Sequence, residues 1–163
     1  MDDVTLRAAT ADDALAISIL LDTAFEGQAE AMLVEELRTQ NAMALELVAV
    51  ENDALVGHVA FSDLEAPRGW TALAPLSVRM DRRNHGIGSQ LVRHGLDTLR
   101  QRGVPAVVVL GDPPFYQKFG FSVDAARDLR SDYPPDNFMA CPLAAGTADV
   151  KQAVTYHRAF RYL

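Results

Sequence analysis

Arg82–Leu91 reads "RRNHGIGSQL" and follows the apolar stretch "TALAPLSV", Thr71–Val78. Two arginines and two glycines stand in ten residues without one acid, in a chain of 163 residues whose 22 acidic and 15 basic side chains give a net charge of −7. Behind the loop, Leu91, Val92, Leu96 and Leu99 make an apolar stripe, which predicts a helix over Ser89–Arg102, and Gly103 suits its stop. A helix start has N–H groups without partners and the positive end of the macrodipole. Gly86 and Gly88, lacking Cβ, let a ligand approach that backbone closely. The expected occupant is a diphosphate, with Arg82, Arg83 and Arg93 as candidate charge-assisted donors.

The strand before the loop has a break of its own. Pro75 cannot donate to a β-ladder, so a central strand carrying it should bulge. A bulge would part "WTALAPLSV" from a parallel neighbour and open a V-shaped gap at the carboxyl ends of the two strands, where open α/β sheets bind ligands. The alternative is an edge strand that tolerates the proline. The neighbour is "AVVVL", Ala106–Leu110, a β-branched run that reads as parallel, central and covered on both faces.

Outward from this centre, "VTLRAAT" alternates as a first strand, and Thr10 with Asp13 forms a capping box. Ile17, Leu20, Leu21 and Ala24 recur at helical spacing up to Phe25, and Ala29–Gln40 reads as a second helix. "LELVAV" and "ALVGHVAFS", separated by Glu51–Asp53, read as a hairpin. In its second strand Leu55, Gly57, Val59 and Phe61 should face one way, and Val56, His58 and Ala60 the other. Asp112 can cap a short helix begun by Pro113 and Pro114, which carries Phe115, Tyr116 and Phe119 and ends at Gly120. Short strands are expected near Phe121–Val123 and Asn137–Pro142. The order is βααββββ-like followed by a β-loop-α-β crossover: one α/β domain over residues 1–163, with a mixed central sheet.

The acidic balance argues against a nucleic-acid binder and suits a cationic substrate. Cys141 is the single cysteine, so no internal disulfide and no cysteine-built metal site is expected, nor does any His/Cys/carboxylate spacing suggest a metal. The first residues lack the basic and apolar regions of a signal peptide, and no apolar run approaches the ~18 residues of a membrane span. A cytoplasmic protein is the expectation. The loop is not a Walker sequence, and it fails the dinucleotide fingerprint because Leu91 occupies the place of the third small residue. No G-x-S-x-G nucleophile elbow occurs.

"RNHGIG" fits the R/Q-x-x-G-x-G/A signature of the GNAT (Gcn5-related) N-acetyltransferase superfamily, with Arg83, Gly86 and Gly88 at the fixed places. With "LAPLSV" before it and "GDPPFYQKFGF" after it, the chain resembles a subgroup of small bacterial N-acetyltransferases from the first strand to about Pro142. The resemblance implies the GNAT fold: six to seven strands, splayed between strands 4 and 5 and flanked by helices. It implies acetyl-CoA as cosubstrate and no metal. Leu76, Ser77 and Val78 would offer backbone groups to the pantetheine arm, and Arg83, Asn84, His85, Gly86, Ile87, Gly88 and Ser89 would hold the pyrophosphate. An amine would attack the thioester directly with both substrates bound. A backbone N–H near Leu76 or Ser77 is the expected oxyanion donor, and Tyr116 the expected acid for the leaving thiolate.

The general base is not legible. Glu26, Glu65 and His58 are candidates by position; His85 could touch phosphate or face water; His94 and His157 carry no assigned role. The acceptor, a small-molecule or peptide amine, would sit among the first two helices, the loop Glu65–Gly69 and the segment Asp124–Phe138. Two other readings stay open: an acyl-CoA-binding sensor or scaffold without turnover, and a protein N-terminal or lysine acetyltransferase. Neither nucleic acid nor membrane is an expected partner; a homodimer is compatible with this shape.

Overall fold

The computed structural model describes residues 3–147 and 151–163. Met1 and Asp2, part of the stretch expected not to be a signal peptide, lie outside the described residues. The elements run β1 (Val4–Ala8), α1 (Ala14–Phe25), α2 (Ala29–Thr39), β2 (Met43–Glu51), β3 (Ala54–Asp63), β4 (Thr71–Val78), α3 (Ile87–Gln101), β5 (Ala106–Leu110), α4 (Pro113–Tyr116) and β6 (Phe138–Pro142). The six strands lie in one sheet in chain order. Every neighbouring pair is antiparallel except β4 and β5, which are parallel. The segment near Phe121 forms no strand among the described residues; it makes one bridge, Ser122 to Ala140.

Period-two alternation in β5 sends side chains to two separate cores, as its β-branched run predicts. Val107 and Val109 join Phe61, Leu73, Leu91 and Leu96 beneath α3, whereas Ala106 and Val108 pack with Leu33 and Leu37 of α2. The C-terminal segment closes this second face: Thr155 bridges to Ala66, and Ala159 and Phe160 are buried in the α2 cluster. In β3 the expected alternation fails at one point. The β2–β3 register shifts between Ala49 and Val50, so Val56 is an extra residue and Leu55 moves to the α1 cluster while Val56 lies in the α3 cluster.

α3 lies very close to the sheet. A Cβ on Gly95 would come within 2.5 Å of Phe61 Cζ, and that ring is fully buried. Gly95→Ala is therefore expected to cost about 1–3 kcal/mol through overpacking, seen as a drop of several degrees in Tm. A Tm equal to that of the parent would contradict this close packing of α3.

At the start of α1, the Thr10 N–H donates to the Asp13 carboxylate at 2.8 Å, as the capping box predicts. Arg7 adds two hydrogen bonds to the same carboxylate at 2.7 and 2.9 Å, and chiefly this guanidinium holds Asp13 well below the usual carboxylate range. A depressed carboxylate stabilises the fold above its unfolded pKa, and that stabilisation fades as the pH falls toward its folded pKa. Asp13→Asn should flatten the acid limb of a Tm-against-pH curve, and an unchanged limb would count against the pair.

Candidate active site

Pro75 acts as its chemistry requires. Val59 pairs with Leu76 and Phe61 with Leu73, so Ala74 and Pro75 oppose the single residue Ala60 across a bulge. β4 is the fourth of six strands, which disposes of the edge-strand alternative. Its parallel pairing with β5 covers Thr71–Val107 and Ala72–Val108 and ends there. Beyond Ala72 the two strands part, and the edge of β4 from Leu73 to Val78 faces the gap.

A cavity of about 590 Å³ occupies the mouth of this gap. Leu76, Ser77, Val78, Arg83, Asn84, Gly86, Ile87, Gly88 and Ser89 all line it. Gly86 is the left-handed residue before α3, with φ 82°, and a Cβ there would meet nothing within 4 Å. Its glycine thus serves the bend and an open approach, not an internal fit. The Gln90 N–H closes the first bond of the helix onto the Gly86 carbonyl at 3.0 Å. Ahead of it, the N–H groups of Ile87, Gly88 and Ser89 have no backbone acceptor among the described residues, as a helix start requires.

The positive charge at the mouth has three sources of unequal standing. Arg83 lines the cavity and donates from Nε to the Val78 carbonyl at 3.2 Å, which ties the loop to the end of β4. Lys118, which sequence reasoning overlooked, also lines it, with Nζ 4.6 Å from the centre of the Phe115 ring. Arg82 lines the cavity too, but its Nε donates to buried Glu51 at 2.5 Å, so much of its charge is already balanced. Arg93 stacks over Phe119 at 5.1 Å. His85 falls outside the main cavity; its Nδ1 is 2.9 Å from the Arg83 carbonyl and its ring lines a separate hollow with Glu51 and Gln90.

Phe115 and Tyr116 both pack, partly buried, against the core beneath α3. Phe115 also forms cavity wall beside Lys118. Tyr116 is not in that wall: it packs edge-on to Phe115 and Phe121, with centroids at 4.9 and 5.6 Å, and its ring lies against Gly111. Burial first, and then the charge of Asp112, push its phenol up to about 12, so it stays protonated at neutral pH. The i, i+3 spacing of Phe115 and Lys118 was the available signal for the missed lysine. Ala24 and Phe25, at the end of α1, complete the wall.

Of the candidate bases, Glu26 and Glu65 are exposed. His58 is fully buried and hydrogen-bonds Glu46 through Nε2 at 2.8 Å. The segment Val123–Phe138 forms a second hollow, of about 620 Å³, lined by Arg127 and Arg130 as well as Asp124 and Asp136. No helix among the described residues is long and apolar enough to cross a membrane, and no three His, Cys, Asp or Glu side chains among them could hold a metal ion.

A six-stranded mixed sheet that opens between a parallel pair, above a left-handed bend into an amphipathic helix, places the molecule in the class of GNAT-fold acyltransferases. The chain belongs to the acetyltransferase (GNAT) family, whose model matches residues 15–121. It is 43% identical over 126 residues, 75% of each chain, to the uncharacterized N-acetyltransferase YhbS of Escherichia coli K12. The crystal structure of E. coli YhbS in complex with CoA superposes with TM-score 0.91 at 38% identity, over 98% of this chain and 93% of that one. A GNAT family acetyltransferase from Brucella melitensis in complex with acetyl-CoA gives TM-score 0.83 at 34% identity, over 97% and 98% of the two chains.

Proposed function

We propose that this protein transfers the acetyl group of acetyl-CoA to a primary amine, with both substrates bound at once. The parted β4–β5 pair carries the reading, because it sets an unpaired strand edge and a row of amides without backbone acceptors among the described residues around one cationic cavity. The N–H groups of Ile87, Gly88 and Ser89, with Arg83 and the bend at Asn84–Gly86, would hold the pyrophosphate. The His85 ring lines the neighbouring hollow, so its contribution would come from the main chain of the bend. The edge of Leu76–Val78 would pair with the pantetheine arm as a further strand would. The relatives crystallised with CoA and acetyl-CoA support this choice of ligand.

Acetyl-CoA supplies a thioester, whose carbonyl is open to a neutral amine. The chain must then furnish a donor for the developing oxyanion and a proton for the thiolate. Alternate N–H groups along β4 point into the gap, so Leu76 or Ser77 is the oxyanion donor. Tyr116 is the acid, its phenol kept protonated by burial.

A panel of amines, polyamines, amino acids and peptides should be screened with acetyl-CoA, following release of free thiol. At least one small cationic amine is expected to be turned over. Binding of CoA with no thiol release from any acceptor would favour the sensor reading, and turnover of peptides alone would favour protein acetylation.

A further inference from the structure

With 22 acids for 15 bases, a basic side chain of this chain finds a carboxylate easily. Arg7 is bound to Asp13, Arg79 to Asp81 and Arg100 to Asp97, at 2.7, 2.7 and 2.9 Å. Arg38 meets Glu46, which His58 also meets. Two bases beside the main cavity behave otherwise. Arg93, on α3, stands 5.1 Å from the centre of the Phe119 ring. Lys118 stands 4.6 Å from the centre of Phe115 and 5.5 Å from that of the same Phe119 ring. Both cations are exposed, and neither makes a hydrogen bond or an ion pair among the described residues. The acid of α3, Asp97, lies one turn past Arg93 and is already taken by Arg100.

A ring face and a carboxylate hold a cation differently. A carboxylate occupies the N–H donors and cancels the charge, whereas a π face attracts the cation and leaves its donors open. Phe115 and Phe119, packed edge to face at 5.2 Å, thus keep two like charges near one another with their donors free. Such a pair repels itself, and an anion that meets both members relieves the repulsion. A phosphate monoester suits it, with a charge of about −2 and three acceptor oxygens. The pair also has a fixed place. Ser89, Phe115 and Lys118 line the cavity, and Arg93 follows Ser89 one turn on, about 6 Å along the axis of α3. The pyrophosphate, as proposed, rests on the amides at the start of that helix. Coenzyme A carries its phosphate monoester on the ribose 3′ carbon, one sugar away from the pyrophosphate, and a ribose bridges a gap of about that length.

We propose that Arg93 and Lys118 grip the ribose 3′-phosphate of coenzyme A, and so make this protein select coenzyme A over the same molecule without that phosphate. The proposal rests on the reading of the cavity as a coenzyme A site, and concerns the end of the ligand remote from the thioester. Arg83 stays with the pyrophosphate, since its Nε donates to the Val78 carbonyl at the end of β4. The two cations touch no reacting atom, so they set specificity and do no chemistry. Because both are exposed, their hold on the phosphate is modest and weakens with salt.

Calorimetric titration of the protein with coenzyme A and with 3′-dephospho-coenzyme A tests this without an acceptor. At low salt the wild type should bind coenzyme A about 10-fold more tightly than the dephospho form. Arg93→Gln and Lys118→Met should each remove about threefold of that advantage, the methionine keeping an unbranched stem against the rings. The double variant should bind the two ligands within about twofold of each other. Affinity for the dephospho form should be the same in every variant, which also reports that the cavity is intact. Added salt should narrow the wild-type difference. Equal affinities in the wild type, or a preference that survives the double variant, overturn the proposal. Equal losses for both ligands in Lys118→Met would put that lysine on the pyrophosphate and overturn it as well. A wild type that binds neither ligand would instead sink the coenzyme A reading, and this proposal with it.

Discussion

Gly86→Val is expected to abolish detectable coenzyme A binding, a loss of about 10²-fold or more in affinity on the ~1.4 kcal/mol-per-decade scale. Two effects act together. At φ 82° a β-branched residue is strained, and its side chain would project into space that no protein atom fills within 4 Å. In the proposed complex that space belongs to the ligand. Because strain could also disturb the loop, Gly86→Asn separates the causes, since asparagine tolerates the left-handed region. The asparagine variant should keep the parent Tm and still bind CoA more weakly by calorimetry. Parent-like affinity in both variants would contradict the assignment of the loop.

Tyr116→Phe should reduce acetyl transfer by one or more orders of magnitude and leave the CoA dissociation constant within about twofold, the pattern of a lost general acid. The ring keeps its packing against Phe115, Phe121 and Gly111, so the fold has no reason to respond. With the phenol pushed up to about 12, its acid form persists through the ordinary assay range, and no alkaline limb in kcat should trace to it. Unchanged turnover in Tyr116→Phe would remove it from the mechanism. The thiolate would then have to find its proton in solvent.

What the sequence discloses depends on how local each cause is. Pro75 and the glycine pair are local: one lacks a donor and the other lacks Cβ, so the bulge, the parting of β4 from β5 and the bend into α3 follow from residue chemistry alone. β5 is legible because β-branched residues on both of its faces leave it nowhere to go but between two layers of helix. Leu55 is misplaced because a one-residue bulge at Val56 reverses which face it meets, and nothing in "ALVGHVAFS" marks the extra residue. Which of Phe115 and Tyr116 lines the cavity is not legible, because a four-residue helix has too few turns to establish a face.

The Arg38–Glu46–His58 line lies at the other extreme. Each member is ordinary where it stands: a basic residue ending a helix, an acid inside "LELVAV", a histidine in an apolar strand. Only the pairing of β2 with β3 and the packing of α2 over them bring these three side chains from separate elements to within hydrogen-bond distance. Lys118 is intermediate, since its spacing from Phe115 is visible but the face it shares with the cavity is not.

A crystal structure of this protein grown with coenzyme A tests the central claim most directly. The prediction is a pyrophosphate seated on the amides of Ile87, Gly88 and Ser89 and a pantetheine arm laid along Leu76–Val78, with its sulfur pointing toward Tyr116. Coenzyme A found elsewhere on the molecule, with β4 and β5 still parted and the bend bare, would contradict it.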